Sequence, residues 1–450
     1  MEYFDVAIIG AGVVGVATAR HLALTGARVV LIEKGADILS GASKANSAIL
    51  HTGFDAPEGS LELTCMQAGY QDFLDLMGPM NLSLLQTGAM VVAWTADQAE
   101  ALGPILSVAH RNGVTDVLAL TPGEVASREP GLAPSLGAVF VPGEHVIDPW
   151  TPFHAYAQQI LAAGSTILRG VEVTGGHFDG VWTLQTTDGP LTATTVINAA
   201  GLYGDRVEAL LLGDTHFTIK PRKGQFVVFD KAAARLLSHI ILPVPDARTK
   251  GVVLCRTAFG NLLIGPTAEE TPDRDRPTVS TVELQALLNR ARQILPALAE
   301  MPVTATYAGL RPASDEKHYR IRHDPARNWL TLGGIRSTGL TASLGLARHA
   351  AGILQAGALQ EAAAPQMPNL SEHRPRDWHS PGHGGILCHC EMVTTREICA
   401  ALDGPFPPGD LGGLKRRTRC AMGRCQGFNC LGALEEITRG RLAPALGLTR

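Results

Sequence analysis

Apolar residues near the N-terminus fall into short unbroken runs joined by a stretch with helical spacing. Val6 to Ile9 and Val29 to Ile32 are runs of strand length, the pattern of strands covered on both faces. Between them Gly10, Gly12 and Gly15 spell G-x-G-x-x-G at the entry to a helix, and the second run ends in Glu33 and Lys34. Strand, glycine turn, helix, strand and terminal acid in that order predict a dinucleotide site. Gly10 permits the tight turn, Gly12 leaves the helix N-terminus open to a pyrophosphate, and Gly15 lets helix and strand pack closely. The Glu33 carboxylate can accept both hydroxyls of a ribose.

The pattern changes along the chain. Leu61, Met66, Phe73, Leu74 and Met77 share one face of a helix predicted over Leu61 to Met77, with Cys65 in its core. Further helices are expected near Thr95 to Asn112 and over Thr151 to Ala163, with a capped, proline-marked connection (TPGEVASREPGL) between them. Strands are predicted over Thr166 to Val173 and Val181 to Thr187, and in TTVINAAGLYGD, which ends in a glycine turn. PRKGQFVVFD, GVVLCRT and NLLIGPTAEE are apolar runs bounded by turn residues, as in an antiparallel sheet, and an amphipathic helix follows over Val282 to Leu295. NWLTLGGIRSTGLTASLGLARHAAGIL then reads strand, glycine-rich turn and helix. Glu361 to Gly385 has no periodicity and reads as a linker, in which His379 and His383 lack the spacing of a metal pair.

With 450 residues the chain can form two or three domains, and 45% hydrophobic with 18% charged residues is ordinary for a globular protein. A net charge of −4 excludes nucleic acid as an expected partner. No apolar run reaches the roughly 18 residues of a membrane span. The first strand begins almost at once, so no signal peptide is expected, and the chain reads as cytoplasmic, with any membrane association made through a partner. Of eight cysteines, Cys65 and Cys255 are isolated, while Cys388, Cys390, Cys399, Cys420, Cys425 and Cys430 crowd together. In a cytoplasmic protein that clustering points to a metal site before disulfides.

The segment SKANS-x-x-L-H-T-G-F-D, Ser43 to Asp55, together with the first strand-turn-helix, resembles the FAD-dependent glycerol-3-phosphate and 2-hydroxyacid oxidoreductases of the D-amino-acid-oxidase superfamily. The resemblance implies that Ser43, Asn46 and Ser47 lie along the flavin and that His51 faces its reactive side. Imidazole titrates near neutrality, so His51 suits removal of a hydroxyl proton as hydride leaves the same carbon; a structural histidine is the alternative. Relatives also place Val173 against the adenine and Gly201 in a close approach to the cofactor. They use an arginine at Arg311 to hold the substrate's anionic group, as bidentate guanidinium geometry allows. Gly334, Gly339, Leu340 and Thr341 are implied to set a helix N-terminus at the flavin pyrimidine, favouring negative charge there. The chain departs from relatives at Leu254-Cys255-Arg256-Thr257, where a proline is expected before the threonine, and Arg256 is either an added substrate contact or a surface residue.

In the last segment Cys388-x-Cys390 precedes one helix near Thr394 and Cys425-x4-Cys430 precedes another. Four thiolates in two close pairs suit a [2Fe-2S] cluster. R-R-T-R-x-x-M-G-R-C-Q-G-x-x-C resembles the bacterioferritin-associated-ferredoxin-like domain that ends the A subunit of anaerobic glycerol-3-phosphate dehydrogenases. That implies Cys388, Cys390, Cys425 and Cys430 as ligands. Cys420-x4-Cys425 is a competing pair, and structural zinc is the rival metal. Cys399 is expected in a helix core, and Lys415 to Arg417 on a solvated face or at a partner contact.

The expected fold class is α/β: a Rossmann-like FAD-binding domain (1–83, 145–215 and 306–360), a mixed-sheet substrate domain (84–144 and 216–305), a linker (361–385) and a small helical four-cysteine domain (386–450). Joining a two-electron carrier to a one-electron carrier favours a dehydrogenase over an oxidase. The expected reaction is oxidation of a hydroxyl-bearing carbon in a small anionic substrate, with electrons leaving through the cluster to a partner subunit or a quinone-linked protein. The alternatives are an amine or imino-acid dehydrogenase, in which a neutral amine loses hydride without a base, and a non-catalytic electron-transfer subunit.

Overall fold

The computed structural model describes residues 2–245 and 251–446. One eight-stranded sheet is built around the N-terminal strand Tyr3–Ile9, which pairs in parallel with Val29–Glu33 on one edge and Leu191–Asn198 on the other. Thr166–Arg169 continues the parallel order beyond Val29–Glu33. The outer edge of Leu191–Asn198 is shared. Its first residues pair with the hairpin strand Val181–Thr186 and its last with Trp329–Gly333. The continuous burial of Val6–Ile9 and Val29–Ile32 follows from this central position, with helices covering one face and Trp182 and Trp329 packed on the other.

Three helices pack together on the first face: Val13–Ala23, Leu61–Met77 and Gly339–Ile353. The last two cross where neither has a side chain. A Cβ on Gly69 would lie 2.0 Å from the Thr341 carbonyl oxygen, and one on Gly345 would lie 2.1 Å from that of Cys65. The crossing is therefore backbone against backbone, and it fixes how far Gly339–Ile353 stands from the sheet.

A second, nine-stranded sheet draws strands from both expected substrate segments. Arg222–Phe229, Ile240–Pro243, Val253–Arg256 and Leu262–Gly265 join Ala89–Ala93, Gly137–Val141 and Leu118–Leu120. The two stretches meet through the parallel pair Ile240–Pro243 and Ala89–Ala93. Val303–Arg311, most of it grouped by sequence with the FAD-binding part, runs antiparallel to Arg222–Phe229 along its whole length. Helix Thr281–Ile294 covers this sheet through Leu287, Ala291 and Ile294.

Residues 361–385 have little regular structure but are packed as a strap, with Met367, Leu370, Ser371 and Arg376 buried. Asn81 donates to the Met367 carbonyl oxygen and Glu372 N donates to that of Ala258. Beyond the strap, the hairpin Ile386–Cys388/Val393–Thr394 and the helices Thr395–Asp403, Leu411–Thr418 and Leu431–Thr438 close a small core around Leu414 and Leu434.

This unit does not present Arg416 and Arg417 to solvent, contrary to expectation. Both are buried against the first sheet's loops. Arg417 clasps the fully buried Asp37, Nη1 to Oδ2 at 2.5 Å and Nη2 to Oδ1 at 3.1 Å, and Arg416 donates to the Ile38 carbonyl oxygen. Gly413 has no room for a side chain, since its Cβ would strike Asp37. Cys399 is also misjudged by its sequence. It lies on helix Thr395–Asp403 but is exposed, because Ile398 and Leu402 define the buried face.

Candidate functional site

Gly10 adopts φ +101°, and a Cβ there would meet the Ala199 carbonyl oxygen at 2.7 Å. A Cβ on Gly15 would lie 1.8 Å from the Gly10 carbonyl oxygen, so helix Val13–Ala23 sits directly on the turn. Glu33 spans this turn, accepting from Ala11 N at 2.9 Å and Gly35 N at 2.7 Å. Burial pushes the Glu33 carboxyl up from its ordinary value, against those two amide bonds. Gly10, Gly12, Glu33, Lys34, Ser43, Val173 and Gly201 all line one cavity beside the turn, and the Lys34 ammonium stands 3.4 Å over the Tyr203 ring.

A second cavity adjoins the first through Gly12, Ala42, Ser43, Ala199 and Gly201. Asn46, Ser47, Arg311, Gly334, Gly339 and Leu340 line it. The segment 43–48 is held by local bonds. Ser43 Oγ accepts from Val13 N, Asn46 Oδ1 accepts from Ala48 N, and Tyr307 donates its hydroxyl to the Asn46 carbonyl oxygen. Gly309 lets this segment approach the second sheet, since a Cβ there would lie 2.6 Å from that of Ala45. The joined cavities run from an acid that suits a ribose, past a helix N-terminus that suits a pyrophosphate, to a chamber under the second sheet. That shape and donor set fit FAD.

His51 lies beside helix Gly339–Ile353, its backbone N–H donating to Thr341 Oγ1 at 3.0 Å. Its Nδ1 is 2.7 Å from Glu144 Oε2, and Glu144 Oε1 accepts from both Thr52 N and Thr52 Oγ1. Glu144 is fully buried. A carboxylate on Nδ1 fixes the imidazole proton there and leaves Nε2 the basic nitrogen. Glu144 belongs to no sequence motif. Its only signal is an acid between the apolar strands Gly137–Val141 and His145–Ile147.

Arg311 ends its strand with the guanidinium bonded to backbone carbonyl oxygens, of Thr267 at 2.6 Å, Lys223 at 3.3 Å and Arg222 at 3.4 Å. Among the described residues no carboxylate is within ion-pair distance of it. Burial, with the charges of Arg222 and Arg336, lowers it to about 10. Arg256 is not brought to this chamber. It pairs with Leu262 at the far end of its strand and its charge acts on His373 of the strap. Arg336, which the sequence did not single out, lines the chamber with Arg311.

In the terminal unit three thiols converge, and two more lie nearer the surface. Cys388, Cys420 and Cys430 are buried, with Sγ atoms within 4.8 Å of one another, and Cys420 Sγ lies 3.8 Å from Cys430 Sγ. Cys390 and Cys425 lie nearer the surface, and each perturbs the titration of the other. A hydrogen bond from Cys420 holds the Cys388 thiol well below its ordinary value despite burial. Cys430 is the N-cap of helix Leu431–Thr438. An all-sulfur set of this kind, with no disulfide among the described cysteines, suits iron–sulfur or zinc binding.

A family model described as DAO, FAD dependent oxidoreductase, matches residues 5–353. The chain is 30% identical over 460 residues to a glycerol 3-phosphate dehydrogenase of Caloramator mitchellensis, covering 99% of this chain and 95% of the relative. It is 26% identical to the A subunit of the anaerobic glycerol-3-phosphate dehydrogenase of Escherichia coli K12, over 95% of this chain and 86% of the relative. Among solved structures, the dithionite-reduced L-alpha-glycerophosphate oxidase of Mycoplasma pneumoniae with FAD bound superposes with a TM-score of 0.76 at 25% identity, over 82% of this chain and all of that one. With a family match that takes in both sheets and both cavities, the chain belongs to the DAO family and is an FAD-dependent oxidoreductase.

Proposed function

We propose that this oxidoreductase is a dehydrogenase that oxidises the hydroxyl-bearing carbon of a small anionic substrate, of the glycerol 3-phosphate or 2-hydroxyacid type. Its electrons leave through a [2Fe-2S] cluster held by Cys388, Cys390, Cys425 and Cys430 to a partner subunit or quinone-linked acceptor. The reading rests above all on the His51–Glu144 pair, 2.7 Å apart, which presents a basic Nε2 beside the helix that borders the flavin chamber.

Bound FAD supplies the two-electron acceptance of a hydride from the substrate carbon. The protein supplies the rest. Arg311 takes the substrate anion with a guanidinium already oriented by three carbonyl oxygens. His51 Nε2 takes the hydroxyl proton, and buried Glu144 stabilises the imidazolium that results. Gly224 lines the chamber and leaves room for the Arg311 guanidinium, since a Cβ there would lie 3.2 Å from Arg311 Nη2. The convergence of Cys388 and Cys430 with Cys420, and Cys390 and Cys425 interacting beside them, support the one-electron exit. Similarity to a protein that is itself one component of a larger dehydrogenase supports a partner.

The test is anaerobic mixing of the purified holoprotein with glycerol 3-phosphate, a 2-hydroxyacid and an amino acid while flavin absorbance is followed. An alcohol substrate should bleach the flavin, and His51→Ala should slow that step by about 10²–10⁴-fold. Bleaching by the amino acid alone, or a His51→Ala rate close to wild type on a confirmed alcohol, would overturn the proposal.

A further inference from the structure

Arg336 stands in the turn between strand Trp329–Gly333 and helix Gly339–Ile353, half-buried, on the wall of the chamber that Arg311 also lines. Its Nη2 donates to the Lys317 carbonyl oxygen at 2.8 Å. Arg311 is likewise bonded only to carbonyl oxygens. Among the described residues neither guanidinium has a carboxylate within ion-pair distance. Carbonyl oxygens orient a guanidinium but do not neutralise it. The charge of Arg336 reaches Arg311, as one of the causes that lower it after burial and Arg222. Several arginines elsewhere in this protein meet acids, Arg417 with Asp37, Arg274 with Asp205, Arg419 with Glu391 and Arg322 with Glu208, whereas Arg311 and Arg336 share one chamber with only carbonyl oxygens as partners.

A buried cation without a counter-charge is costly, and Arg311 is one, with the positive charge of Arg336 near it, unless a ligand anion completes the site. Phe226, Pro266, Ile335 and Leu340 supply an apolar wall here. One bidentate guanidinium suffices for a carboxylate, which carries a single charge on two oxygens. A phosphate monoester carries about −1.5 to −2 charges at neutral pH on three terminal oxygens, and one guanidinium leaves part of that charge unmet.

We infer that Arg336 is a second anion-holding residue of this site, and that with Arg311 it selects a substrate bearing a phosphate monoester over one bearing a carboxylate. This rests on the proposed alcohol oxidation and narrows its substrate class. Arg336 acts on binding rather than on the reacting bond, so its removal should appear in KM.

The experiment compares wild-type holoprotein with Arg336→Gln and Arg336→Lys in anaerobic flavin reduction by glycerol 3-phosphate and by glycerate. Binding of inorganic phosphate to the oxidised flavoprotein, read from flavin absorbance, is measured alongside. Arg336→Gln should raise KM for glycerol 3-phosphate roughly 10–100-fold, as loss of one charge-assisted contact implies. Its kcat should hold within about 3-fold, and the glycerate KM should move by less than about 3-fold. Phosphate affinity should fall by a factor similar to that for glycerol 3-phosphate, and Arg336→Lys should restore part of the loss. Equal losses on both substrates, or none on either, overturn the inference while leaving the alcohol dehydrogenase reading intact. Phosphate binding that depends on Arg336, in a wild-type protein whose flavin neither substrate bleaches, supports the anion site and sinks the alcohol reading instead.

Discussion

His51 Nδ1 and Glu144 Oε2 meet at 2.7 Å, joining a partly exposed imidazole to a carboxylate that is wholly buried. Replacing Glu144 with Gln keeps the shape but lets an amide N–H point at Nδ1, which favours the tautomer with its proton on Nε2. A base protonated at the nitrogen that must accept is inactive in that form. Flavin reduction by a confirmed alcohol should slow by about 10²-fold with FAD still bound. Stopped-flow absorbance gives the rate, and an unchanged value would detach Glu144 from the chemistry.

Arg311→Lys should raise KM rather than lower kcat. The guanidinium is held by the carbonyl oxygens of Thr267, Lys223 and Arg222, an arrangement that a single ammonium cannot satisfy while also facing a ligand. The loss expected is roughly 1.5–3 kcal/mol of substrate binding. Steady-state kinetics on the true substrate measure it, and an unmoved KM would remove Arg311 from the anion site.

Cys425→Ser should abolish the proposed cluster while the flavin remains reducible, because hydride transfer precedes the one-electron step. Cys420→Ser should leave it in place if Cys388, Cys390, Cys425 and Cys430 are the ligands. The 3.8 Å approach of Cys420 to Cys430 makes this the sharper of the two experiments. Iron and sulfide analysis of anaerobically purified protein, with the electron paramagnetic resonance signal after reduction, reads the outcome. Zinc in place of iron would end the electron-transfer argument, and cluster loss in Cys420→Ser alone would change only the pairing.

Asp37→Asn should loosen the terminal unit. It leaves the Arg417 guanidinium buried without its anion, a loss of about 3–5 kcal/mol for a broken buried pair. Burial alone would raise the Asp37 carboxyl, but Arg417, with Arg416 and Arg169 beside it, outweighs burial and holds it below its ordinary 3.8. A depressed carboxylate stabilises the docked form above its unfolded value and loses that contribution as pH falls through the folded one. Acid undocking is therefore expected below about pH 4, near the ordinary carboxylate range. Faster hydrogen exchange over residues 407–417 in the variant at neutral pH would show the effect. Unchanged exchange there would mean that Arg416 and Arg169 suffice.

What was legible in the sequence was local. The glycine spacing, Glu33 and the helix over Leu61–Met77 each follow from a few consecutive residues, and Gly10, Gly12 and Glu33 line the cavity. What was not legible depends on distant partners. Glu144 lies 93 positions from His51, and Arg417 lies 380 positions from Asp37. Two adjacent arginines on a short helix look solvated until a buried acid and a carbonyl oxygen far upstream are found to meet them. Cys399 fails for a different reason. One step along a helix turns a residue through about 100°, so the position after buried Ile398 faces water.

The crossing at Gly69 and Gly345 bears on how this enzyme can be engineered or can drift. Exchanging a mid-helix glycine for alanine ordinarily gains up to about 1 kcal/mol in helix propensity. Here a methyl group at either position would meet a carbonyl oxygen at about 2 Å and lever the two helices apart. The end of Gly339–Ile353 that borders the flavin chamber would swing with them. A survey for thermostable variants would rank both sites among its first choices and be misled at both, because the cradle's calibration resides in two absent methyl groups.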